Sequence, residues 1–154
     1  MIRVMFVCLG NICRSPMAEA ILRHRVIERN LAMETASCGT ANYHIGDPPD
    51  PRAIGVLKKY NININHKGQQ LKSKDFEDYD YLIVMDDSNL KNASQVAPKE
   101  YQSKLYKMRD FDSLARGSNV NDPWYGDYSD FEICFETLER YIDLFLGKID
   151  SDLK

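Results

Sequence analysis

A chain of 154 residues, 44% hydrophobic and 28% charged, can bury one working core and is expected to fold as a single domain over residues 1–154. Its formal net charge of −3 excludes the broad basic face on which generic nucleic-acid binding depends, while leaving room for one local basic pocket. Residues 1–7 are too short for a signal peptide and no apolar run reaches the roughly 18 residues of a membrane span, so a cytoplasmic protein engaging neither nucleic acid nor membrane is expected.

Residues 2–8 form an apolar run bounded by a glycine-containing loop and predict a buried strand. Ser15 and Pro16 read as the cap and first residue of a helix that carries Ala18, Ile21, Leu22 and Val26 on one side and fades near Asn30. A second strand is expected over residues 33–38, then a loop through GDPPDP and a helix from about Pro51 to Tyr60. YDYLIVMD, residues 79–86, predicts a further strand, after which Asp86 or Asp87 starts a helix that Pro98 stops. KLYKM, residues 104–108, is a short alternating strand. Phe131, Cys134, Phe135, Leu138, Ile142 and Phe145 recur at helical spacing and mark the last helix, with Gly147 near its end. The alternation of strands and helices predicts an α/β fold with a central four-stranded, parallel, twisted sheet and helices on both faces.

FVCLGNICRSP, residues 6–16, runs the first strand straight into two cysteines, a glycine, an arginine and a helix start. Cys8 then stands at the carboxyl end of a strand, where open α/β sheets bind ligands. The residues Leu9, Gly10, Asn11, Ile12, Cys13 and Arg14 must wrap tightly before Ser15, with backbone N–H groups facing inward to bind an anion at the helix N-terminus. Gly10 is expected where the backbone bends most sharply, and Asn11 to take left-handed geometry or brace the loop. Arg14 offers a planar fork matched to two phosphate oxygens, and the positive surroundings favour Cys8 as a thiolate. Nucleophile and anion pocket in one loop are the requirements of covalent phosphoryl transfer. A zinc site is disfavoured, because Cys8 and Cys13 lack a second ligand pair and His24, His44 and His66 are scattered singly. No metal or cofactor is expected.

An aryl oxygen leaves phosphorus poorly without a general acid. In NDPWYGDY, residues 121–128, Asp122 precedes Pro123 on a stiffened loop, followed by Trp124 and Tyr125. The two rings could wall a cleft and partly desolvate Asp122, so that it holds a proton. Spacing alone leaves equal room for a turn with both rings tucked into the core.

Together, CLGNICRSPMAEA and DPWYG closely resemble the low-molecular-weight protein tyrosine phosphatases. SCGT at 37–40, DPPDPRA at 47–53, FEDYDYLIVMDDSN at 76–89 and the last helix follow in family order, so the resemblance covers nearly the whole chain. It implies metal-independent hydrolysis of phosphotyrosine and small aryl phosphates through a phosphocysteine on Cys8, with Asp122 as acid and then base. It further implies that Arg14 and the loop hold phosphate, that Ser15 stabilises the thiolate, and that Asn11, Ser37, His66 and Asp86 support the site. Leu9, Ile12, Tyr43, Trp124 and Tyr125 would line the substrate cleft. Relatives acting on phosphoarginine carry Thr at the position of Ile12, so an aromatic substrate is favoured. Cys38 replaces a residue that is usually Ala or Arg, and Tyr43 one that is often Trp.

The implied partners are phosphotyrosine-containing proteins or peptides. Arsenate reductases of the same fold need extra mid-chain cysteines, and none lies between Cys38 and Cys134. A mere binder of phosphorylated ligands would need neither Cys8 nor Asp122. Cys13 is a candidate redox partner for Cys8 in a reversible disulfide. Tyr125 and Tyr128 are candidates for phosphorylation, and a monomer is expected, with weak self-association through the aromatic loop as the alternative.

Overall fold

The computed structural model describes residues 1–114 and 119–153. β1 (Ile2–Cys8) runs parallel to β2 (Met33–Gly39), in register from Ile2 opposite Met33 to Cys8 opposite Gly39. β3 (Tyr81–Val84) pairs with the other side of β1, and β4 (Leu105–Lys107) with β3, so an all-parallel sheet has the order β2-β1-β3-β4. Each expected strand is present within two residues of its expected bounds. The chain leaves β1 to one side and later returns to the other, which opens a crevice at the carboxyl end of β1, beside Cys8.

Alternation along β1 divides the core in two. Val4, Phe6 and Cys8 pack with α1 (Arg14–Arg29), α2 (Pro51–Lys59) and α5 (Tyr128–Leu153). Met5 and Val7 point to the opposite face, against residues of α3 (Asp75–Asp78) and α4 (Asp87–Val96). Helices thus cover both faces, as the strand–helix alternation requires. α3 and two short 3-10 turns, Lys99–Lys104 and Met108–Phe111, were not anticipated, because segments this short carry no readable period.

Two helix ends differ from expectation. α1 starts at Arg14, with Cys13 in the cap position and no side-chain cap bond; Pro16 falls in the first turn, where a missing N–H costs nothing. Ser15 is not the cap, because its hydroxyl is taken by the Cys8 sulfur and the Asn11 amide. α5 runs through Gly147 to Leu153, since Leu146 and Ile149 on either side continue the buried stripe and offset the roughly 1 kcal/mol that an interior glycine costs. No helix among the described residues is long and apolar enough to cross a membrane.

Candidate active site

Only Leu9 to Cys13 connect β1 to α1, so the chain must reverse within a few residues. Asn11 makes that turn at φ 60°, while Gly10, expected at the bend, is not among the positive-φ residues. Gly10 serves packing instead: a Cβ there would meet the His44 ring at 3.2 Å. Asn11 offsets its backbone strain through its buried amide, whose Nδ2 donates to Ser15 Oγ at 2.9 Å and Ser37 Oγ at 3.0 Å. Its Oδ1 accepts the Gln69 N–H at 3.0 Å and lies 2.8 Å from His66 Nε2. The loop carbonyls of Cys8, Leu9 and Ile12 accept from Thr40, Ala41 and Asp50. The N–H groups of Gly10, Ile12 and Cys13 have no acceptor among the described residues, which are the donors an anion would take up.

Cys8 is buried at the foot of this loop. Ser15 Oγ lies 2.9 Å from its sulfur, and the Asn11 N–H donates to the sulfur across 3.3 Å. Arg14, also buried, donates from Nη1 to Asp86 Oδ2 at 2.7 Å and to the Val120 carbonyl at 2.9 Å. Burial alone would lower the pKa of this guanidinium, but Cys8 and Asp86 outweigh it and the net direction is upward, so the charge is kept. Nη2 of Arg14 lies 3.6 Å from Asp122 Oδ2, and the other Asp122 oxygen accepts the Trp124 N–H at 3.0 Å.

The expected desolvation of Asp122 is absent. Its side chain is 36% exposed. Trp124 and Tyr125 pack edge to face on one another, centroids 4.8 Å apart, and form an open rim rather than a cover, with Tyr125 91% exposed.

A cleft of about 250 Å³ gathers Cys8, Arg14 and Asp122 with every expected wall residue, Leu9, Ile12, Tyr43, Trp124 and Tyr125. Gly10 and Cys13 line it as well, and so does His44, which the sequence offered only as an isolated histidine. Gly68 brings His44 there, since a Cβ at Gly68 would collide with the His44 carbonyl.

The supporting residues occupy two stations: Ser37 and His66 gather on Asn11, whereas Asp86 holds Arg14. Glu19 was missed. Its buried Oε1 accepts from Ser37 Oγ at 2.7 Å and lies 3.3 Å from His66 Nδ1, while Oε2 pairs with Arg23 at 2.9 Å. Burial would raise the Glu19 pKa, yet the hydrogen bonds to His66 and Ser37 hold it below the ordinary carboxylate range. Its one sequence signal, the four-residue spacing to Arg23, reads equally well as a solvated helix pair. The other thiols behave as packing groups: burial pushes Cys13 and Cys38 upward, and Cys134 to about 12. No group of His, Cys, Asp or Glu among the described residues is arranged to hold a metal ion.

Residues 3–154 match the family model described as "Low molecular weight phosphotyrosine protein phosphatase". The Saccharomyces cerevisiae low molecular weight phosphotyrosine protein phosphatase is 43% identical over 152 residues, covering 96% of this chain and 94% of the relative. The Homo sapiens protein of that name is 37% identical over 149 residues and 94% of each chain. A crystal structure of a protein tyrosine phosphatase from Entamoeba histolytica, with Hepes in its active site, matches with a TM-score of 0.93 at 31% identity over 100% of both chains.

Proposed function

The chain belongs to the low molecular weight phosphotyrosine protein phosphatase family, and from that premise we propose that it hydrolyses phosphotyrosine with Cys8 as nucleophile and Asp122 as general acid and base. In the first step the Cys8 thiolate attacks phosphorus. An S–P bond forms, the bond from phosphorus to the tyrosyl oxygen breaks, and that oxygen takes the proton of the Asp122 carboxyl. In the second step Asp122 takes a proton from water as the water oxygen attacks phosphorus. The S–P bond then breaks, its electrons return to Cys8, and inorganic phosphate leaves.

Arg14 and the unpaired loop N–H groups hold the equatorial oxygens in both steps. The Ser15 hydroxyl and Asn11 N–H, both on the sulfur, favour the thiolate as attacker and as leaving group. Ser37, His66 and Glu19 keep Asn11 in place, and Asp86 aims Arg14. The single observation carrying this reading is that one cleft joins a doubly hydrogen-bonded sulfur, a buried guanidinium and a carboxylate 3.6 Å from that guanidinium.

The apolar walls, Ile12 above all, support a flat phosphotyrosine ring in a protein or peptide rather than phosphoarginine. Cys13 shares the cleft with Cys8, so the reading includes a redox partner role: peroxide oxidises Cys8 to a sulfenic acid, which the Cys13 thiol displaces with loss of water. Four unpaired thiols support a reducing, cytoplasmic location, where the chain acts as a monomer.

The test is phosphate release from phosphotyrosine peptide, phosphoserine peptide and phosphoarginine by the wild type, Cys8→Ser and Asp122→Ala. Phosphotyrosine is expected to be preferred, Cys8→Ser to be inactive, and Asp122→Ala to lose about 100-fold or more. Faster release from phosphoarginine would overturn the substrate, and an active Cys8→Ser the mechanism.

A further inference from the structure

Arg52 has no part in the steps above, yet it grips the loop that carries the acid. It follows Asp50 and Pro51 at the start of α2, where Asp50 Oδ1 accepts the Arg52 N–H at 2.8 Å. The same carboxylate takes the guanidinium at two points, Nε to Oδ1 at 3.0 Å and Nη2 to Oδ2 at 2.9 Å. The guanidinium also lies over the Phe131 ring of α5, 4.4 Å from its centroid. Held from both sides in this way, Arg52 donates from Nη1 to the Gly126 carbonyl at 2.9 Å and from Nη2 to the Trp124 carbonyl at 3.1 Å.

Both carbonyls belong to the turn that follows Asp122, which the Gly126 N–H closes on the Pro123 carbonyl at 2.9 Å. Trp124 is therefore fixed at both backbone ends, its carbonyl by Arg52 and its N–H by Asp122 Oδ1. The Asp50 N–H in turn donates to the Ile12 carbonyl at 2.8 Å, so the Asp50–Arg52 pair joins the phosphate loop to the acid loop. Packing does little for this turn, because Tyr125 is almost fully exposed and Trp124 nearly half so.

We propose that Arg52 is a positioning residue, which fixes the turn at 123–126 against α2 so that Asp122 faces the leaving oxygen above Cys8. The inference rests on the reading of Asp122 as general acid. Its consequence is selective: without Arg52 the rate falls for leaving groups that need a proton and holds for those that depart as stable anions.

The experiment compares kcat/KM, which reports formation of the phosphocysteine, for phenyl phosphate and dinitrophenyl phosphate. Wild type, Asp122→Asn, Arg52→Ala and Arg52→Lys are assayed side by side. Asp122→Asn is expected to lose about 100-fold on phenyl phosphate and far less on dinitrophenyl phosphate. Arg52→Ala is expected to lose about 10-fold on the first and under about 2-fold on the second, with Arg52→Lys, which can reach one carbonyl, in between. If Arg52→Ala does not fold, Arg52→Lys carries the same comparison. Equal losses on both substrates, or none on either, would overturn the proposal while Asp122→Asn stays selective. An unselective Asp122→Asn would remove the acid assignment and this proposal with it.

Discussion

Gly39 is the residue at which β2 touches the phosphate loop. A Cβ there would stand 2.7 Å from the Leu9 carbonyl oxygen and 3.1 Å from the Asn11 nitrogen, backbone atoms with little freedom to step aside. Gly39→Ala is therefore expected to shift the loop and lower kcat/KM on a phosphotyrosine peptide by about 100-fold, the usual result of misplacing reacting groups by about an ångström. Circular dichroism should show the fold retained, and wild-type turnover in this variant would refute the contact argument. Cys8, Arg14 and Asn11 were legible because their chemistry is local to one loop. The bend was read onto Gly10, yet it falls on Asn11, whose side chain supplies the hydrogen bonds that steady the turn and that a glycine lacks.

At the scale of elements, β3 hands over to α4 through Asp86, and both oxygens of that carboxylate are engaged. Oδ1 caps α4 by accepting the Asn89 N–H at 2.7 Å, and Oδ2 takes Arg14 at 2.7 Å. Asp86→Asn keeps a cap acceptor and loses the charge, whereas Asp86→Ala loses both. Urea unfolding should find Asp86→Ala about 1 kcal/mol less stable than Asp86→Asn, and both should turn over about 10-fold more slowly as Arg14 loses its anchor. Equal stability of the two variants would deny Asp86 the cap. This helix start was readable, because an aspartate ending an apolar strand has few other uses. Ser15 was misread as a cap for the converse reason: a hydroxyl beside a proline looks the same in sequence whether it faces a helix amide or a sulfur.

For the whole molecule, the sheet separates two cores and places the site at one end of the strands. Phe145 of α5 sits at the other end, edge-on to Tyr81 at 5.3 Å and to Phe111 at 4.8 Å between centroids. Phe145→Ala is expected to cost about 3–5 kcal/mol in denaturant unfolding. Activity per folded molecule should hold, since Tyr81 opens β3 while Cys8 closes β1. A loss under about 1 kcal/mol would mean that this part of the core collapses freely around the gap.

Local order set what the sequence could determine alone: two-residue alternation for strands, helical spacing for α5, and a strand–loop–helix segment whose residue types allow an anion and a thiolate to meet. Only the tertiary structure decided which distant groups complete the site. Glu19 meets His66, Arg52 reaches Gly126, His44 enters the cleft, and Trp124 and Tyr125 turn outward and leave Asp122 wet. These contacts depend on where parallel crossovers set loops that lie far apart in the chain. No local period encodes that distance, because packing of the whole sheet fixes it.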